Sequence, residues 1–371
     1  MSDSETDPFE LLLRAARLDY GEEKTSLIEE AVRLADLAQD PLLGFQAREA
    51  LIEAATFGGY PDKALVAFTW CLAQCDKDPK QFDERELLWQ YKWVSARLPY
   101  FPQIPRTRIE QVHEDMRARY ERCGLSLRPV HKIRWLAARR MGEREQALAS
   151  YEAAERLPRD HGADCDACER NDRIRYLLYV ERVEDALEAA QPILSGRMGC
   201  AEIPHATLAM ILWPLLELGR AEQAIRYHLR GYRLVRGNRE FVGSQAEHLE
   251  FLGLTGNHSR ADRLLEEHLG LAMSVTDLDQ RFRFLNAAAA HYAAREGELE
   301  LALPPRLGCY RAEGRYPVAE LAAWLEQEAG ALADRFDARN GNSLFRDTMT
   351  LYRERAALER PPTRITKFHK A

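Results

Sequence analysis

Apolar residues recur at three- and four-residue intervals along most of the chain, in stretches separated by short polar turns. In the segment 25–38, Leu27, Ile28, Ala31, Val32, Leu34, Ala35 and Ala38 form one stripe. That spacing is the mark of a helix with a single buried face. The same reading predicts helices over 9–18, 45–57, 61–75, 83–98 and 107–123, then helix pairs within 129–157, 168–194, 205–235 and 241–273. An eighth pair begins at 278–295, but Pro304 and Pro305 damage its second helix, because proline has no N–H for the ladder and clashes with the preceding turn. A final pair, 318–336 and 343–359, closes the series. The segment holding Pro99, Pro102 and Pro105 interrupts the third pair.

A second pattern lies on top of the first. A turn residue, often glycine, is followed five positions later by alanine: Gly59 and Ala64, Gly142 and Ala147, Gly219 and Ala224, Gly256 and Ala261, Gly297 and Ala302. Glu181 and Ala186 keep the frame without the glycine. Self-similarity at this period is the signature of stacked repeats, in which each helix pair buries its apolar face only against its neighbours. The small residue has a mechanical role, because the distance between packed helices depends on side-chain size at the contact.

Gly59-Ala64-Phe68 and Gly142-Ala147-Tyr151 carry a resemblance to the tetratricopeptide repeat superfamily, which spans roughly residues 8–300. The family period is about 34 residues. Here the alanines at 147, 186, 224, 261 and 302 are spaced by 39, 38, 37 and 41, which resembles the longer-helix arrays of bacterial regulators and peptide receptors. The resemblance implies an all-α fold, a right-handed solenoid of about eight helix-turn-helix units over 8–360. A disordered segment is expected at 1–7 and a basic disordered tail at 361–371. A HEAT-like array is the structural alternative.

Composition narrows the class further. Hydrophobic residues make up 46% and charged residues 30%, which suits an amphipathic helical protein. No apolar run has the length of a membrane span. The acidic N-terminus lacks a signal-peptide layout, and the chain reads as cytoplasmic. A net charge of −7 argues against bulk attraction to nucleic acid.

Seven cysteines in such a chain argue against a disulfide framework. Cys165 and Cys168 form a Cys-x-x-Cys knuckle, and Cys200 and His205 follow in the next loop of the same kind. Consecutive loops of a stack lie on one edge, so these four residues are expected to converge as a closed structural zinc site. Asp164, Asp166 and His161 are candidates to support or replace a ligand. Two other readings stay open: a redox Cys-x-x-Cys, and ordinary loop cysteines. Cys71 and Cys75, four residues apart on one helix, read as small buried hydrophobes.

In the repeat family the first helix of each unit lines a groove. Carried onto this frame, the resemblance implies peptide-binding roles for Lys132, Arg139, Arg140, Asn171, Arg175, Tyr179 and Trp213, with Glu217, Glu250, His291 and Arg295 at equivalent positions. The cationic stretch would suit an acidic peptide. No phosphate loop, nucleophile elbow or zinc-protease motif is present, and no enzymatic activity is expected. The expected function is a protein- or peptide-binding scaffold. The alternatives are a receptor that changes curvature around a signalling peptide and, less favoured by the charge, a nucleic-acid-associated regulator.

Overall fold

The computed structural model describes residues 7–358 and 362–365. Residues 1–6, 359–361 and 366–371 lie outside the described residues, and with them most of the disordered segments expected at 1–7 and 361–371. The chain forms two compact units, residues 1–163 and 164–371, at a boundary the repeat frame does not mark. Among the described residues the regular structure is helical apart from one two-stranded sheet. None of their helices is long and apolar enough to cross a membrane.

The first unit contains α1 (Pro8–Ala15), α2 (Glu22–Leu37), α3 (Pro41–Gly58), α4 (Pro61–Lys77), α5 (Glu84–Arg97), α6 (Arg106–Arg122), α7 (Arg128–Met141) and α8 (Arg144–Arg156). Asp7, Asp40 and Asp83 cap α1, α3 and α5 by accepting from backbone N–H groups of the first turn, which satisfies donors that have no partner within the helix. Pro41 and Pro61 sit in first turns, where the missing N–H costs nothing. Consecutive helices pack together, and α3, α5 and α7 also form a continuous row. The core between them includes Ile52, Phe68, Leu87, Tyr91, Met116, Tyr120 and Ile133.

Arg119 ties three elements of this unit. Its buried guanidinium pairs with Asp115 one turn earlier, with Glu84 at the start of α5 and with Asp76 near the end of α4. Burial weakens such a cation, yet the three carboxylates hold its proton well above the ordinary arginine value.

The second unit runs through α9 (Asp166–Tyr179), α10 (Val183–Leu194), α11 (His205–Met210), α12 (Leu212–Glu217), α13 (Ala221–Val235), α14 (Val242–Leu254), α15 (His258–Ser274) and α16 (Leu278–Ala293). The strands β1 (Glu298–Glu300) and β2 (Arg315–Pro317) then pair antiparallel, before α17 (Val318–Asn340) and α18 (Leu344–Ala357). The first helix of the pair expected within 205–235 is in two pieces, α11 and α12, with a break at Ile211. Pro214 cannot donate to the carbonyl one turn back, which accounts for the break. The frame also fails at 297–302, where Gly297 leads into β1 rather than a second helix. With Pro304 and Pro305 just ahead, a helix could not propagate, and the backbone groups of 298–300 pair with β2 instead.

Elsewhere the repeat frame is physically expressed. Gly59, Gly142, Gly219 and Gly256 all have left-handed backbone, at φ 79, 80, 70 and 71°. Glu181, the one position that keeps the frame without glycine, is left-handed too, at φ 60°. The turn therefore demands that conformation whatever residue occupies it, and glycine supplies it without a Cβ penalty. The alanines that follow at 64, 147, 186, 224 and 261 are all buried, none above 2% exposed.

Candidate metal centre

Cys165 is the N-cap residue of α9, and Cys168 lies in that helix's first turn. Residues three apart share a helix face, so the knuckle presents both thiols at the α9 N-terminus. Cys200 arrives from the loop after α10. That loop is a tight turn in which the Cys200 N–H donates to the Ile203 carbonyl over 2.8 Å. Gly199 permits the turn, since a Cβ there would lie 2.9 Å from the Ile203 oxygen.

These elements bring the three sulfurs within 4.8 Å of one another, with Cys168 and Cys200 3.5 Å apart. Four ligands around a metal with bonds of about 2.3 Å stand ~3.8 Å apart in a tetrahedron. The observed spacing brackets that value, so Cys165, Cys168 and Cys200 form a cluster that could hold a metal ion. Cys165 and Cys200 are exposed and Cys168 is partly covered. A hydrogen bond from Cys168, supported by backbone N–H groups of the turn, lowers the Cys200 thiol to about 6. Cys168, which donates that bond and is partly buried, is pushed up. Of the two, Cys200 is the sulfur whose thiolate its surroundings favour.

His205 does not join the three sulfurs. Its ring stacks on Phe241 with centroids 4.7 Å apart, and the Glu202 backbone bonds to it. Its Nδ1 is buried without a hydrogen-bond partner. The closed four-ligand arrangement expected from spacing is therefore reduced to three converging sulfurs, because aromatic stacking at the start of α11 holds the imidazole. His161 falls in the first unit. Cys71 and Cys75 are buried on α4, as expected.

The seven expected peptide-binding residues divide between the units. Lys132, Arg139 and Arg140 belong to α7, where Lys132 is buried and the two arginines are half-covered. Asn171 is buried on α9, with its Oδ1 accepting from the Thr207 hydroxyl at 2.7 Å. Arg175 pairs with Asp172 three residues earlier. Asn171 and Arg175 thus have partners inside the second unit, and Tyr179 is half-buried.

Trp213 is different. It lines a cavity of about 420 Å³ in the second unit, with Glu181, Glu217, Glu250, Tyr352 and Arg355 also in the wall. The Arg355 guanidinium lies 4.2 Å from the centre of the Trp213 ring and 3.3 Å from Glu250. Burial raises the Glu250 carboxyl to about 7, against the pull of Arg355. The repeat frame reaches Trp213, Glu217 and Glu250. It cannot reach Tyr352 and Arg355, which α18 brings back onto α14 from about a hundred residues away.

No protein-family model matches this chain, and no curated protein matches it at a significant level.

Proposed function

We propose that this chain is a helical-repeat scaffold that binds a protein or peptide, of the tetratricopeptide type, with a structural zinc on one edge of its second unit. The observation that carries this reading is the convergence of three thiols from two successive connections, the α9 entry and the α10–α11 loop. A metal there ties neighbouring helix pairs together and orders segments with little apolar content. Thiolates suit zinc among the abundant divalent ions. His205, the first residue of α11, would have to leave its stack on Phe241 to serve as a fourth donor through its unpartnered Nδ1. A fourth protein ligand would leave no open position for catalysis.

The cavity beside Trp213 supports a binding role and revises the expected partner chemistry. Glu181 and Glu217 stand exposed at its rim and Glu247 and Glu250 also line it, against Arg355 as the one cation in the wall among the described residues. A basic side chain fits this lining better than an acidic one.

Elemental analysis of untagged protein purified without added metal tests the proposal. About one zinc per chain is expected, lost in Cys200→Ser and Cys165→Ser and retained in Cys71→Ser. Metal well below stoichiometry in the parent protein overturns the zinc assignment. The 3.5 Å approach of Cys168 and Cys200 favours a second reading as a redox dithiol. That reading requires one disulfide per chain, and the loss of two free thiols, on mild oxidation of the metal-free protein with diamide.

A further inference from the structure

Beyond α18, residues 362–365 form neither helix nor strand and lie against the turn between α14 and α15. The Thr363 N–H donates to the Thr255 carbonyl at 3.1 Å. The Asn257 amide then reads both polar edges of the segment. Its Nδ2 donates to the Thr363 carbonyl at 3.0 Å, and its Oδ1 accepts from the Ile365 N–H at 2.9 Å. Asn257 is itself buried and is held in place by a 2.8 Å bond to the Thr255 hydroxyl. Ile365 packs against the core of the second unit, Pro362 touches Gly256, and Arg364 points to solvent.

Alternate residues are therefore recognised, as when a strand adds to an edge: main-chain bonds supply adhesion and a side-chain pocket supplies selectivity. Only one orientation of the Asn257 amide satisfies both bonds, so the direction of the bound segment is fixed as well.

We propose that the α14–α15 turn is a recognition site for an extended peptide. It pairs the backbone of one residue on both sides and takes a branched aliphatic side chain two positions later. Residues 362–365 are its built-in occupant. The partner is a protein bearing a segment of the Pro-Thr-x-Ile kind, which enters by displacing this tail. The inference deepens the scaffold reading above and rests on it. It differs from a simple clip in one respect: the site accepts the segment from another molecule.

The tail competes from a short tether, and such a tether provides an effective concentration on the order of millimolar. Wild-type protein should therefore bind added peptide weakly. Fluorescence polarisation with a labelled synthetic peptide of residues 359–371 tests this on the full-length chain. Ile365→Asp removes the tail's own anchor and should tighten binding of the wild-type peptide about tenfold or more. Thr363→Pro, which deletes the N–H donor, should do the same by a different route. Adding Asn257→Ala to either variant should abolish the binding. A peptide carrying the Ile365→Asp change should not bind any of them.

If both tail variants keep the wild-type circular dichroism spectrum and yet bind no peptide, the segment is an intramolecular clip and the proposal fails. Zinc is measured on the same samples. Peptide binding without zinc supports this site while removing the metal assignment, and zinc without peptide binding does the reverse.

Discussion

The Nδ1 atoms of His228 and His248 lie 3.1 Å apart in the interior of the second unit, so one imidazole donates to the other. Two imidazolium rings could not share that bond, and burial lowers both pKa values, that of His228 to about 3. Tyr232 flanks the pair, and the charge of Arg260 opposes protonation of His228. His291, buried beside Arg295 and His258, is also lowered to about 3, with Asp262 opposing weakly.

These histidines predict acid sensitivity. A folded pKa below the unfolded value means that the unfolded chain takes up protons first, so stability falls as pH drops below about 6.5. Between pH 7 and 5, His228 and His291 should each cost about 2 kcal/mol. Glu250 acts in the opposite sense. Its folded pKa of about 7 is raised, so its penalty at neutral pH is relieved on acidification, returning about 2 kcal/mol over the same range. His248 and His113, also lowered by burial, act in the same sense, so urea melts at pH 7 and 5 should show a net loss of at least about 2 kcal/mol, and Glu250→Gln should increase that loss by about 2 more. An unchanged slope in Glu250→Gln would contradict the assignment.

Gly231 packs against the same histidine. An added Cβ would lie 2.9 Å from the Leu208 Cβ and 3.0 Å from the His248 ring. Alanine normally gains up to about 1 kcal/mol over glycine in a helix. Overpacking here should cost about 1–3 kcal/mol and outweigh that gain. Gly231→Ala should therefore lower the unfolding midpoint, although propensity alone predicts a rise.

In the first unit, Arg119→Met should cost about 1–3 kcal/mol in thermal unfolding, because it removes the charge-assisted hydrogen bonds of a buried guanidinium to Asp76, Glu84 and Asp115 while Glu84 keeps Arg122. Arg119→Lys should recover little of this. An ammonium cannot spread donors over Asp76, Glu84 and Asp115 at once.

Thiol labelling separates the two groups of cysteines. In metal-free native protein, iodoacetamide should modify Cys165 and Cys200 first, because both are exposed. Cys71 and Cys75 should react only after unfolding, since burial hides both and pushes Cys75 up to about 11. Added zinc should protect Cys165, Cys168 and Cys200 without changing the rate at Cys71. Mass spectrometry of the labelled peptides reads out each position.

The sequence by itself determined the helical class, the approximate spans of most helices and the turn positions that the structure shows as left-handed. These depend on local forces: apolar periodicity, capping and the backbone demands of a tight turn. It also singled out Cys165, Cys168 and Cys200, whose sulfurs the structure brings within 4.8 Å of one another. Tertiary structure decided the rest. His205 lies on Phe241 rather than with the sulfurs, because stacking depends on a residue thirty-six positions away. Asn171 and Arg175, read as groove residues, are occupied by Thr207 and Asp172. Arg355 reaches Trp213, and Ile365 reaches Asn257, across about a hundred residues or more. No periodic pattern encodes such contacts, because they form only when the final helix and its tail fold back onto α14.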